Sequence, residues 1–208
     1  MRLSFVLALS LSSLACGAEV RSEPPPRPPG TLHAPSDYRA DFAVEQRVTV
    51  TFEAESQSFR AVLEKRGDAL VLVALGPHGG RAFVLAQHGT DVTFESHLPR
   101  ELPFPPEYML LDVHRAWLVA LPAAPLEDGE HRGTIDEEEV TETWLGGRVQ
   151  TRVFRRLDGR PPGLVTIQYE GGLDPSLDAP GPSRVVLDNG WYGYRLELDE
   201  LTRRPLSP

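Results

Sequence analysis

The chain has 208 residues, with 30 Asp and Glu against 21 Lys and Arg, a formal net charge of −9 and 40% hydrophobic residues. An acidic chain without a basic run is a poor partner for nucleic acid or for anionic headgroups, because clustered Lys and Arg supply that affinity. A single cysteine excludes an internal disulfide framework.

In chain order, the first fifteen residues read as an export signal. Arg2 gives a short positive start, Leu3 to Leu11 an apolar stretch, and Ser13 and Ala15 the small residues of a cleavage site. About nine apolar-rich residues cannot cross a hydrocarbon core that takes roughly 20. Leu14-Ala15-Cys16-Gly17 then resembles the lipobox of bacterial lipoproteins, although Ser13 stands where that pattern usually has Leu. The resemblance implies a diacylglyceryl group on the Cys16 thiol and cleavage just before it. An ordinary cleavage site with an incidental Cys16 is the alternative, but an unpaired thiol on an exported protein is a liability. Gly17 lacks the Asp that retains many lipoproteins in the inner membrane. The expected location is therefore the outer membrane, lipid-anchored and facing the periplasm. Residues 16–40 form the expected lipidated N-terminus and linker. Glu23 to Pro35 is rich in proline and has little to bury, so it favours an extended form of about 3.1 Å per residue.

One domain is expected over residues 41–205. Val48, Val50 and Phe52 alternate with polar neighbours, as do Phe59, Ala61 and Leu63, the pattern of half-buried strands. Leu70 to Leu75 is a continuous apolar run, Arg81 to Gln87 follows a Gly-rich turn, and Val92 to Glu95 adds a short fifth strand. The period then becomes helical. Pro105-Pro106-Glu107 is a helix start, Met109, Val113, Ala116, Trp117 and Ala120 follow at helical spacing, and Pro122 stops the run. Strands resume at Val140 to Trp144, Arg148 to Phe154, Leu164 to Tyr169, Val185 to Leu187 and Trp191 to Leu198. Gly146-Gly147 and Asn189-Gly190 mark hairpins. Mainly antiparallel β-sheet with one helix on a face is the economical packing.

Residue patterns for catalysis are absent from the sequence. It has no Gly-x-Ser-x-Gly, no His-Glu-x-x-His and no phosphate-cradling glycine loop. Its six histidines are scattered, and Asp112 and His114 are two apart on the helix, pointing in different directions. The acidic run Asp136 to Glu139 reads as a solvated loop or strand edge. No enzyme, cofactor or metal is expected. The aromatic residues Phe52, Phe83, Trp117, Trp144, Phe154 and Tyr194 fall on apolar faces. They either fill a core or line a pocket, since one helix is thin cover for about ten strands. Leu63, Leu85, Met109 and Val113 complete the set of pocket candidates.

Taken together, Phe59 to Glu64, Leu70 to Leu75, Gly80 to Leu85, the Pro105 to Val113 helix start with Trp117, and Gly193 to Leu196 resemble a family of uncharacterised bacterial lipoproteins. That family is related in fold to LolA and LolB and often accompanies genes for aryl-polyene, fatty-acid-like lipid synthesis. The resemblance implies an unclosed antiparallel β-barrel with a helical lid and a cavity for acyl chains. It also implies that the protein binds or transfers an acyl-bearing ligand, with protein partners in an envelope lipid pathway. A structural or assembly lipoprotein that docks an envelope complex is the alternative. LolB-type receptors carry a protruding loop with a large apolar residue; Gly76 to Gly80, at the corresponding turn, has none.

Overall fold

Alternation of apolar and polar residues produces the strands, and pairing extends them beyond the alternating core. The structure, a computed structural model, describes residues 30–38, 40–76, 78–99, 104–122, 127–176 and 180–206. The expected signal segment, Cys16 and the Pro-rich stretch as far as residue 29 lie outside the described residues, as does Pro77. Before the helix come β1 (Phe42–Phe52), β2 (Glu55–Arg66), β3 (Ala69–Leu75), β4 (Arg81–His88) and β5 (Asp91–Ser96). After it come β6 (Gly129–Ile135), β7 (Glu138–Leu145), β8 (Arg148–Arg156), β9 (Val165–Leu173), β10 (Arg184–Asn189) and β11 (Tyr194–Pro205).

All pair antiparallel in one sheet of order β5-β4-β3-β2-β1-β11-β10-β9-β8-β7-β6. The list has two ends, so the barrel is unclosed. Among the described residues six strands follow the helix, where about five were expected. The additional one, β6, has a polar sequence with two glycines, because an edge strand needs no fully buried face. The Gly146-Gly147 hairpin is as expected, both glycines having positive φ (61° and 71°) between the paired Leu145 and Arg148. The Asn189-Gly190 turn is wider than expected. Asn189 pairs with Tyr194, and its Oδ1 accepts from the backbone N–H of Trp191 (3.1 Å) and Tyr192 (3.2 Å), so Trp191 lies in the turn and not in β11.

The helix α1 (Glu107–Val113) continues into one π-helical turn, His114–Leu118. Its end comes four residues before Pro122: the Val119 N–H donates to the His114 carbonyl at 2.8 Å and the chain turns extended. Neighbouring residues of the helical segment reach opposite parts of the sheet. His114 contacts Gln87 of β4 (2.8 Å), and Arg115 contacts Glu138 of β7 (2.7 Å). β4 and β7 stand eight strand spacings apart, roughly 38 Å on a flat sheet. The sheet is therefore curled around the helix.

The apolar face read from the helical spacing is present, and the structure buries polar residues of the same helical segment as well. Asp112, His114 and Arg115 are as buried as Trp117 and Leu118. The reason is the segment 30–38, expected in the linker, which crosses the helix's outer side. Pro35 is buried, and Leu32 and Tyr38 pack on the core. Gln87 donates to the His33 carbonyl (2.7 Å), His33 meets Asp136 (2.8 Å), and the buried Lys65 donates to the Tyr38 carbonyl (2.6 Å) and to Asp41 (2.7 Å). A Cβ on Gly30, whose φ is +122°, would stand 2.8 Å from Arg115 and 3.1 Å from Leu111. Residues 30–38 thus pack on the folded domain, because Leu32, Pro35 and Tyr38 have apolar surface to bury.

Candidate functional site

Period-two alternation sends every second residue of β1 to the concave face: Gln46, Val48, Val50 and Phe52. Phe59 and Ala61 of β2, Leu72 of β3, Phe83 of β4, Leu187 of β10 and Leu196 and Leu198 of β11 face the same space. Met109, Val113, Ala116 and Trp117 close it from the helix. Together these side chains leave a cavity of about 440 Å³, well inside the roughly 300–1,000 Å³ range of ligand pockets. Phe52 is 52% exposed while lining the cavity, so the space reaches the surface at that end of β1. Phe104, Tyr108 and Tyr192 also line it, Tyr108 stacked on Phe104 with ring centroids 6.2 Å apart and tilted against Tyr192 at 4.9 Å.

Two inward residues are polar in kind, Gln46 and Asp112. Asp112 is well served: it accepts from the Tyr194 hydroxyl, from Asn189 (3.4 Å) and from Arg115 (3.4 Å). Burial pushes its carboxyl up, and Arg115 with the Tyr194 and Asn189 hydrogen bonds pulls it back. The Tyr194 hydroxyl is pushed up by burial and then by the Asp112 charge, and that of Tyr192 by burial and then by its hydrogen bond with Tyr108. Both phenols are neutral at physiological pH.

Beyond Asp112 the space is filled. Arg115 forms a two-pronged pair with Glu138 (2.7 and 3.2 Å) and lies 4.8 Å over the Trp191 ring. Glu138 belongs to the acidic run expected to be solvated, and it is buried because the helix brings a guanidinium to it. Arg152 and Glu142 form a second pair at 2.7 Å with no exposure on either side. Arg152 also donates to the Arg115 carbonyl (2.8 Å), and the Tyr169 hydroxyl donates to the Ala116 carbonyl (2.9 Å). Burial raises the Tyr169 hydroxyl to about 12.

Of the residues singled out from the sequence, Phe52, Phe83, Met109, Val113, Trp117 and Tyr194 line the cavity. Leu63 and Leu85 are fully enclosed on β2 and β4 and are not part of its wall. Trp144 and Phe154 fill the opposite part of the half-barrel, Trp144 donating to Glu142 at 3.0 Å and Phe154 lying beneath Arg115. Sequence reasoning passed over Val50, Phe59, Tyr108, Tyr192 and Gln46. Val50 and Phe59 carry the same alternation as their selected neighbours, and Gln46 was legible as a polar residue among Val44, Val48 and Val50. Among the described residues no three His, Cys, Asp or Glu side chains gather in a way that could hold a metal ion. Nor is any helix among them long and apolar enough to cross a membrane.

Residues 43–202 match the family described as "Protein of unknown function (DUF3261)". The chain belongs to that family. No curated protein matches it. Among solved structures, this DUF3261 chain is similar to a LolA superfamily protein from Nitrosomonas europaea, at 15% identity and a TM-score of 0.49, with 84% of this chain and 91% of that one covered. It is also similar to a "putative outer membrane lipoprotein-sorting protein domain" from Vibrio parahaemolyticus, at 11% identity and a TM-score of 0.44, covering 81% and 86%.

Proposed function

We propose that this protein is a lipid-anchored, non-enzymatic binder of an acyl-bearing ligand, held at the outer membrane and facing the periplasm. The observation that carries the reading is the cavity of about 440 Å³, whose wall is apolar except at Gln46 and Asp112 and which opens beside the half-exposed Phe52. Burying each methylene of an acyl chain in such a space contributes about 0.8 kcal/mol. Aliphatic and aromatic walls impose no headgroup, so the chain and not its polar end supplies the affinity.

Trp117 lines the cavity, whereas Trp144 is sealed in the far core. Adding a long-chain fatty acid should therefore change tryptophan emission, and Trp117→Phe should remove most of that change. An unaltered spectrum in both proteins, together with no lipid co-purifying, would sink the binding reading and favour a docking role. For the anchor, Cys16→Ala should release the protein from membranes. Equal retention of wild type and variant after high-salt washing would show that Cys16 is not the attachment.

A further inference from the structure

Gln46 differs from Asp112, the other polar side chain of the wall. It stands on the inward face of β1 between Val44 and Val48, is only 4% exposed, and lines the cavity. Its lateral neighbours are Ala61 on β2 and Glu200 on β11, at a point where the β1–β11 register slips by one residue. Its Oε1 is buried with no hydrogen-bonding partner among the described residues. Unpaired buried amide oxygens are rare in folded proteins, because desolvation is then uncompensated. A Met or Leu here would fill the same volume without that cost. The terminal torsion of glutamine is soft and roughly two-fold, so a half-turn exchanges oxygen and nitrogen and can present either to the cavity.

We propose that Gln46 hydrogen-bonds a donor carried along the acyl chain, so that the ligand class is an acyl chain bearing a hydroxyl or amide N–H. The inference rests on the acyl-binding reading above and narrows it. Depth narrows it further. Gln46 lies six residues from Phe52 along β1, roughly 20 Å of strand rise. A chain entering past Phe52 therefore meets Gln46 far from its headgroup, and a hydroxyl near the distal part of a long chain fits where one beside the headgroup does not.

The test is displacement of 1-anilinonaphthalene-8-sulfonate from the full-length protein by octadecanoate and by 12-hydroxyoctadecanoate. The hydroxylated acid should bind about tenfold more tightly, the worth of one good hydrogen bond. Gln46→Met should erase that preference and melt no lower than wild type, since it removes an unpaired group. Equal affinities in wild type, or a preference that survives in Gln46→Met, would overturn the assignment. So would a clear fall in melting temperature, which would mean that Gln46 serves the fold. If neither acid displaces the dye and Trp117 emission is also silent, it is the acyl-binding reading itself that fails.

Discussion

The two halves of the curled sheet hold their contents in opposite ways. On the side of β1 to β4, with β10 and β11, the inward residues stop short of the helix and leave a cavity. On the side of β7 to β9, Trp144, Phe154, Ile167 and Tyr169 meet the helix directly, and buried ion pairs tie it down: Arg152 with Glu142, Arg115 with Glu138. An aliphatic wall can part from the helix at modest cost, because its contacts are numerous, weak and undirected. A hydrogen-bonded wall cannot. The filled half thus holds the helix through buried ion pairs. On the open side directed contacts are confined to His114 with Gln87 and Asp112 with Tyr194 and Asn189, and the aliphatic wall between them is left free to be shaped by a ligand.

The sharpest way to break this contrast is Arg152→Ala. It strands Glu142 without a counter-charge where neither residue is exposed, and should lower unfolding free energy by about 3–5 kcal/mol in urea titrations. A loss below 1 kcal/mol would show that the filled half does not anchor the helix. Next is a matched pair of truncations. Phe154→Ala, in the filled half, should cost about 3–5 kcal/mol. Phe59→Ala, whose ring already faces the cavity, should cost nearer ~1–2 kcal/mol, because one side of that ring has few protein atoms to lose. Equal costs would mean that the two halves are packed alike.

The smallest effect is pH-dependent and probes the strap over the helix. His114 Nε2 donates to Gln87, its Nδ1 is buried without a partner among the described residues, and Tyr38 meets its ring edge-on. Burial, with help from His33 and Arg115, pulls its pKa down to about 4. Below its unfolded value of about 6.5 the unfolded chain takes up a proton that the native state refuses, so stability falls as pH drops from about 6.5 toward 4. Wild type should lose about 1–3 kcal/mol across that window through this residue. His114→Gln should show a flatter pH profile in the same urea titrations. An identical slope would mean that His114 is protonated in the fold.

Legibility in the sequence followed the same division. Period-two alternation was enough for β1 and β2, and the continuous apolar run and the Gly-rich turn after it were enough for β3 and β4. Helical spacing was enough for the helix start and, together with the alternation, for the candidates Phe52, Phe83, Met109, Val113, Trp117 and Tyr194 on the cavity wall. Such patterning failed where burial is compensated by pairing. Glu138 was read as solvated with its acidic run, and Glu142, Arg115 and Arg152 drew no reading at all, because nothing local reveals that a carboxylate on one strand will face a guanidinium many residues away. Trp144 and Phe154 look like Phe83 in the sequence, and only the curl of the sheet decides which wall each joins. The packing of segment 30–38 was obscured by the proline cluster just before it, which suits a spacer, while Leu32 and Tyr38 suit a core.

The order of the sheet also fixes when it can be completed. β1 to β5 run as successive neighbours on one side, β6 to β11 do the same on the other, and among the described residues the only long-range seam of the sheet joins β1 to β11. Phe42 stands opposite Pro205 in that seam. Each half can zip locally, hairpin by hairpin, but the sheet stays in two pieces until the final strand has been made. Such late, distant pairing slows folding, because the loop must be closed before its contacts reward it. A chain still emerging from the ribosome therefore has no finished sheet to curl round its helix, and the cavity is the last part of the molecule to exist.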